Sequence, residues 1–208
     1  MNIESILLQI LVVLFSVICH EVFHGWVALK CGDDTALRMG RITLNPFSHL
    51  DFMGSIVLPT FAILAKVPVI GWAKPVPINP MNFRNPKRDT LLVAVAGPAA
   101  NLALALLGGA LLRIISFIEA SSLFNIELIK TVLTFLVVIN VILAVFNLLP
   151  IPPLDGSKVV IYFLPKKLAY QYERIGVFGI FIVLFLLFTG VLGWFVWPIV
   201  MKIVSFLI

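Results

Sequence analysis

One stretch decides the fold of this chain: IESILLQILVVLFSVICHEVFHGWVAL, residues 3–29. It is apolar enough to cross a membrane as a helix, yet it contains His20, Glu21 and His24 within the motif HEVFH. Each ionisable group inside a membrane span costs about 2.5 to 3.5 kcal/mol even on the most lenient insertion scale. Three such groups therefore predict a polar functional site inside a helix bundle, shielded from lipid.

The composition of the whole chain is that of a membrane protein. Of its 208 residues, 61% are hydrophobic and 12% are charged, against roughly 25% charged residues in ordinary soluble domains. Four stretches lack Asp, Glu, Lys and Arg, and each is near or above the ~17 to 20 residues that span hydrocarbon. These stretches are residues 5–20, 90–112, 131–154 and 175–201. A fifth apolar stretch, residues 52–65, is shorter.

These spans predict an all-α polytopic membrane protein with about four to six transmembrane helices. We predict a single integral membrane domain over residues 1–208. Its core covers about residues 5–160, and a C-terminal membrane region covers about residues 175–208. Gly190, Gly193 and Pro198 are places where the last apolar run can bend or break.

The segment after the first span predicts a small β or extended re-entrant insertion. GRITLNPFSHLD, residues 40–51, begins with an alternation typical of a short strand, and Asn45-Pro46 then turns the chain. GWAKPVPINP, residues 71–80, contains three prolines, which force an extended backbone and exclude helix.

Basic residues predict the orientation in the membrane. Lys and Arg are concentrated in residues 30–50, 66–88 and 155–174, so the positive-inside rule places these three segments in the cytoplasm. That orientation requires residues 52–65 to enter the membrane and return on the same side. The net charge of +5 is explained by topology and does not predict nucleic-acid binding.

The HEVFH motif predicts a metal site. His20 and His24 are four residues apart, so on a helix both imidazoles reach one ion, and Glu21 lies beside it as a general base. A catalytic zinc needs a third protein ligand, for which the candidates are His49 and a carboxylate. Asp155 is the favoured carboxylate because the predicted orientation brings it to the same side of the membrane as the two histidines.

Three further polar residues are candidates for supporting roles. Asn147 lies eight residues before Asp155, and we interpret it as a donor that polarises the substrate. For Asn101 two interpretations are equally supported: an interhelical hydrogen bond or a role in the site. His49 is predicted to form a hydrogen bond within its loop or to support a metal ligand, and direct metal ligation by His49 is less favoured.

The motifs together resemble those of the site-2 protease family of intramembrane zinc metalloproteases. The similar segments are HEVFH (20–24), GRITLNPFSHLD (40–51), GWAKPVPINP (71–80), AGPAAN (96–101) and NLLPIPPLDG (147–156). The resemblance implies one zinc ion per chain held by His20, His24 and Asp155. It also implies Glu21 as general base, substrate holding by Asn147, and cleavage of transmembrane or membrane-adjacent segments of other proteins.

The expected partners are a membrane-spanning protein substrate and the lipid bilayer, without nucleic acid; a homo-oligomer is left open. The expected location is the plasma membrane of a prokaryote, with the active site toward the cytoplasm. Two other functions compete with this prediction. An ion or metal transporter would spread its polar groups along a crossing, and a non-catalytic zinc-binding scaffold would need the ligands without Glu21.

Overall fold

A computed structural model describes residues 3–57, 60, 61, 64, 74–117 and 126–208. Within these ranges the regular structure is helical and no strand is formed. The helices are α1 (Ile3–Cys31), α2 (Thr35–Arg38), α3 (Pro86–Phe117), α4 (Ile126–Asn147), α5 (Asp155–Phe163), α6 (Lys166–Phe188) and α7 (Val191–Leu207). Short turns of 3-10 or π type lie at Pro46–His49, Phe52–Val57 and Pro80–Asn82.

Three helices in the described part of the chain, α1, α3 and α4, are long and apolar enough to cross a membrane. Helix α6 makes a fourth if its two halves, which meet at an angle of 66° between Gly176 and Phe178, form one broken span. The chain is therefore an integral membrane protein, as predicted, and its described residues hold three or four of the predicted four to six crossings. The last apolar run breaks at Gly190, whose φ of +75° ends α6 and separates it from α7.

An apolar core joins α3, α4 and α7. Ala105 of α3, Val141 of α4 and Val200 of α7 are fully buried within it. Glycine allows a close approach here, because a Cβ at Gly109 would lie 2.8 Å from the carbonyl oxygen of Leu207. The small residues of the second span therefore let its neighbours pack closely.

The short strand predicted at the start of residues 40–51 does not form over Arg41–Leu44. The chain bends there, because the Arg41 guanidinium turns inward and donates to the carbonyl oxygens of Ser48, Lys74 and Pro75. These contacts tie residues 40–49 to the later segment through a side chain instead of a ladder of main-chain bonds.

Residues 74–79 are neither helix nor strand, as their prolines predicted. The Lys74 N–H donates to the His49 carbonyl at 2.9 Å, which joins this segment to the turn at Pro46–His49. Residues 65–73 lie outside the described residues, and so do positions 58, 59, 62 and 63 of the predicted re-entrant stretch, residues 52–65. Re-entry of that stretch stays a prediction.

The turn between α4 and α5 positions Asp155. Helix α4 ends at Asn147, shortly before Pro150, Pro152 and Pro153, which cannot continue a helix, and Asp155 is the first residue of α5. The chain doubles back so tightly that a Cβ at Gly156 would lie 2.1 Å from the Leu148 carbonyl oxygen. From α6, the Tyr172 hydroxyl donates to the Pro150 carbonyl oxygen at 2.7 Å and secures the turn.

Candidate metal centre

The two motif histidines lie on one face of α1, as their spacing predicted. Both are buried, and their Nε2 atoms are 3.0 Å apart. Asp155 meets them from α5, with its Oδ2 atom 3.2 Å from the Nε2 atom of His20 and 3.2 Å from that of His24. One group of three candidate ligands therefore assembles from two distant segments of the described chain.

Hydrogen bonds on the far side of each imidazole decide where its proton lies. The Nδ1 atom of His24 is 2.6 Å from the carbonyl oxygen of Val93, which can only accept, so Nδ1 carries the hydrogen. The Nδ1 atom of His20 is 2.7 Å from Oδ1 of Asn101, which also can only accept. In the neutral rings, both Nε2 atoms therefore present a lone pair to each other and to Asp155.

The chemistry of this arrangement fits a cation. Oδ2 of Asp155 is buried and receives no hydrogen bond from the described residues. Three electron-pair donors facing one another repel unless a positive ion lies between them. Tetrahedral zinc with bonds of about 2.0 to 2.1 Å places its ligand atoms roughly 3.4 Å apart, close to the 3.0 and 3.2 Å found here. His20, His24 and Asp155 are the residues that could hold such a metal.

Helix α3 closes the site from the side through Gly97. A Cβ at this position would lie 2.3 Å from Nε2 of His24 and 2.5 Å from Cε1 of His20. Only glycine lets the helix backbone come this near to both rings. The polar cluster is thereby covered by protein on the α3 side.

Glu21 and Asn147 line the same cavity as the three candidate ligands. This cavity has a volume of about 900 Å³ and is also bordered by residues 75–80. Oε2 of Glu21 accepts a hydrogen bond of 2.8 Å from the main-chain N–H of Val76, which fixes the carboxylate beside the metal candidates. One N–H of the Asn147 amide donates to the Leu143 carbonyl oxygen at 2.9 Å, which leaves the second available.

Of the two remaining predicted residues, Asn101 and His49, the structure places only Asn101 against a candidate metal ligand. Asn101 contacts His20 directly and is fully buried. His49 is also buried, but its Nε2 atom donates to the Thr43 carbonyl oxygen at 2.8 Å, and it does not line the cavity. The site thus incorporates Asn101, whereas His49 belongs to the loop that supports residues 74–79.

Asp33 is a buried carboxylate that our sequence analysis missed. Its oxygens accept from the main-chain N–H of Asn79 at 2.7 Å and from the side-chain amide of Asn82 at 2.8 Å, besides the N–H and hydroxyl of Thr35. Burial alone would raise the pKa of this carboxyl, but these hydrogen bonds outweigh it and hold the pKa below its ordinary value. Asp33 therefore fastens the end of the cavity-lining segment to the end of α1.

Sequence reasoning also missed Asn140, Val76 and Val93. Asn140 carried a signal, since it is an amide within an otherwise apolar span. Val76 and Val93 act through main-chain atoms, for which no residue type gives a signal.

Comparison with known proteins places the chain among metalloproteases. The family model described as Peptidase family M50 matches residues 109–188. The "Putative zinc metalloprotease YwhC" of Bacillus subtilis is 37% identical over 192 residues, covering 91% of this chain and 84% of that protein. The "Putative zinc metalloprotease Rip2" of Mycolicibacterium smegmatis is 34% identical over 184 residues, covering 88% of this chain and 67% of its own length. No solved structure matches the chain.

Proposed function

Because the chain belongs to peptidase family M50, the site-2 protease family of zinc metalloproteases, we propose that it is an intramembrane endopeptidase. Its substrates are membrane-spanning proteins, which it cleaves within or beside their transmembrane segments. One observation carries this proposal: two imidazole lone pairs and an unpaired carboxylate oxygen converge next to Glu21, where an apolar span reaches a cavity.

The proposed roles divide among five side chains. His20, His24 and Asp155 hold one zinc ion per chain. A zinc ion held there supplies Lewis-acid activation of water and of the scissile carbonyl. Glu21 accepts the proton that the attacking water loses and returns it to the leaving amine. Asn147 donates its free N–H to the carbonyl oxygen as negative charge develops on it.

The Val76 N–H supports the role of Glu21. By occupying Oε2 at 2.8 Å, it holds the carboxylate in one orientation and leaves Oε1 to take the proton. A general base must lie within about 2.6 to 3.2 Å of the proton's donor, so such orientation contributes directly to the rate.

The substrate must unwind before it is cut. In a helix the carbonyl groups are bonded along the axis and wrapped by side chains, so water cannot reach them. The extended segment Pro75–Ile78 borders the cavity and offers a surface on which an unwound substrate pairs by strand addition. Residues Arg41–Leu44, whose alternating sequence also suggested an extended backbone, do not line the cavity, which favours Pro75–Ile78 as the pairing segment.

The charge pattern supports a cytoplasmic active site in the plasma membrane of a prokaryote. Residues 74–88 and 155–174 flank the cavity and are rich in Lys and Arg. The positive-inside rule assigns such segments to the cytoplasm.

A single comparison tests the proposed function. Purified wild type, Glu21→Gln and the control Glu4→Gln, which changes an exposed acid in the first turn of α1, are each analysed for zinc and incubated with a single-pass membrane substrate. We expect zinc in all three and cleavage by wild type and Glu4→Gln only. Cleavage that survives Glu21→Gln would contradict the mechanism. Zinc without any cleavage would support a scaffold, and zinc flux in liposomes would support a transporter.

A second experiment tests the unwinding step. Substrates with Gly, Pro, Asn or Ser near the cleavage site are compared with versions in which those residues are leucine. We expect cleavage to slow in the leucine versions, because leucine stabilises the substrate helix by up to about 1 kcal/mol for each glycine replaced. Equal cleavage rates would show that unwinding does not limit the reaction.

A further inference from the structure

Three fully buried polar side chains meet behind His20, each from a different helix. They are Ser16 of α1, Asn101 of α3 and Asn140 of α4. Polar groups in apolar spans are costly unless they are hydrogen-bonded, so their mutual bonds fix their orientations. These bonds lead from the backbone of α4 to a ligand of the metal centre.

The first link is set by a main-chain carbonyl. The Leu136 carbonyl oxygen lies 2.8 Å from one end of the Asn140 amide and can only accept, so that end is the NH₂ group. The Ser16 hydroxyl, 2.8 Å away, accepts from the same NH₂ group and donates its own hydrogen to the Val12 carbonyl oxygen. The opposite end of Asn140, its Oδ1, therefore faces Asn101.

The second link fixes Asn101 in turn. Its amide end that lies 2.8 Å from Oδ1 of Asn140 must be NH₂, because two carbonyl oxygens cannot bond to each other. That NH₂ group also lies 3.3 Å from the main-chain carbonyl oxygen of Ser16, which agrees with the assignment. Oδ1 of Asn101 consequently faces His20, and Nδ1 of His20 carries the hydrogen.

We propose that Asn140 is a positioning residue for the metal centre: through Asn101 it sets the tautomer of His20. This inference rests on the proposed function, since it assigns His20 to zinc. With the Asn101 amide reversed, NH₂ would face Nδ1, and the hydrogen of His20 would move to Nε2. It would then point at His24 and Asp155, where it blocks metal binding.

The wild-type protein provides the first test. In zinc-free protein labelled with ¹⁵N-histidine, the ring nitrogen shifts of His20 distinguish the two neutral tautomers. We expect the hydrogen on Nδ1. A hydrogen on Nε2 would overturn the proposal without any variant.

Two matched variants provide the second test. Asn140→Leu removes the nearer of the two acceptors that orient the Asn101 amide, whereas Ser16→Ala removes a hydroxyl of the same network and leaves the bond from Asn140 to Asn101 in place. We expect Asn140→Leu to weaken zinc binding about 10- to 100-fold, measured by competition with a chromophoric chelator. We expect a much smaller loss in Ser16→Ala. Equal losses would assign Asn140 a general packing role and overturn the proposal.

Adding Asn101→Asp to Asn140→Leu tests whether the orientation of the Asn101 amide causes the loss of zinc affinity. A carboxylate offers only acceptors, so it cannot present an N–H to His20 whichever way it turns. We expect the double variant to recover zinc affinity and the Nδ1–H signal, and absence of recovery would refute the tautomer argument. None of these measurements needs a protein substrate. If the zinc affinities are as expected but no substrate is cleaved, the proposed function is refuted and the role of Asn140 stands.

Discussion

Asp33 and Asp155 are carboxylates with opposite surroundings. Asp33 is fully buried and accepts four hydrogen bonds from Thr35, Asn79 and Asn82. Oδ2 of Asp155 is buried as well, but the nearest polar atoms are two imidazole nitrogens that have no hydrogen to give. A carboxylate surrounded by hydrogen-bond donors stabilises the fold, whereas a carboxylate that faces lone pairs is suited to bind a cation. The partners of a buried acid therefore separate structural from metal-binding roles.

The substitution Asp155→Asn is expected to have the largest effect. The amide keeps the shape of the side chain but removes its charge and leaves only a weak ligand. Zinc affinity should fall by more than the ~100-fold that marks the upper range for losing an outer hydrogen-bond partner, and proteolysis should be lost. Elemental analysis after dialysis against a chelator measures the first effect. Full retention of zinc would remove Asp155 from the metal centre.

Gly97→Ala is expected to have the second-largest effect, because it disturbs the imidazoles without replacing a candidate ligand. A Cβ at Gly97 would lie 2.3 Å from Nε2 of His24, so the ring or the helix must move. Overpacking of about 1 to 3 kcal/mol, expressed wholly in metal binding, corresponds to a loss of about 5- to 150-fold in zinc affinity. Chelator competition measures this loss. Gly193→Ala is the control, since its Cβ meets no atom within 4 Å of the described structure.

Asp33→Asn should show the converse behaviour to Asp155→Asn. One oxygen is replaced by an NH₂ group that faces donors, so the free energy of unfolding should fall by about 2 kcal/mol. Zinc affinity should stay within about threefold of the wild type, because no metal candidate is altered. Thermal unfolding in detergent and chelator competition measure the two quantities. A large loss of zinc in this variant would show that the two carboxylates are not separable.

The pH dependence of Asp33 gives the smallest expected effect. Its pKa is lowered in the folded protein, so the unfolded state binds a proton first as the pH falls. The stabilisation by Asp33 is thus fully present above the ordinary carboxyl pKa and is lost as the pH falls from about 4 through the lowered value. Unfolding of zinc-free wild type and Asp33→Asn should therefore differ at pH 7 and converge below pH 4. A difference that grows on acidification would contradict this assignment.

The sequence predicted the parts of the site that depend on local periodicity. His20, Glu21 and His24 share a helix turn, and Asp155 follows prolines that had to stop α4, so their placement could be reasoned from spacing and charge. The structure brings them together, and the related metalloproteases agree with the predicted family.

The parts that were missed depend on tertiary contacts. The alternation at Arg41–Leu44 looked like a strand, but Arg41 is buried as a side-chain anchor, which a period-two pattern does not reveal. The donor to Glu21 and the acceptor for His24 are main-chain atoms brought near by folding, so their identity follows from position and not from residue type.

The bond from the Val76 N–H to Glu21 has a consequence for mutational tolerance. Every amino acid except proline offers the same amide, so exchanges at position 76 that keep the backbone in place also keep the N–H that Glu21 accepts from. The side chain itself is buried, and its Cγ1 lies 3.0 Å from where a Cβ at Gly25 would be, so packing constrains its size. Tolerance at position 76 is therefore limited by packing against α1 and not by the hydrogen bond to Glu21.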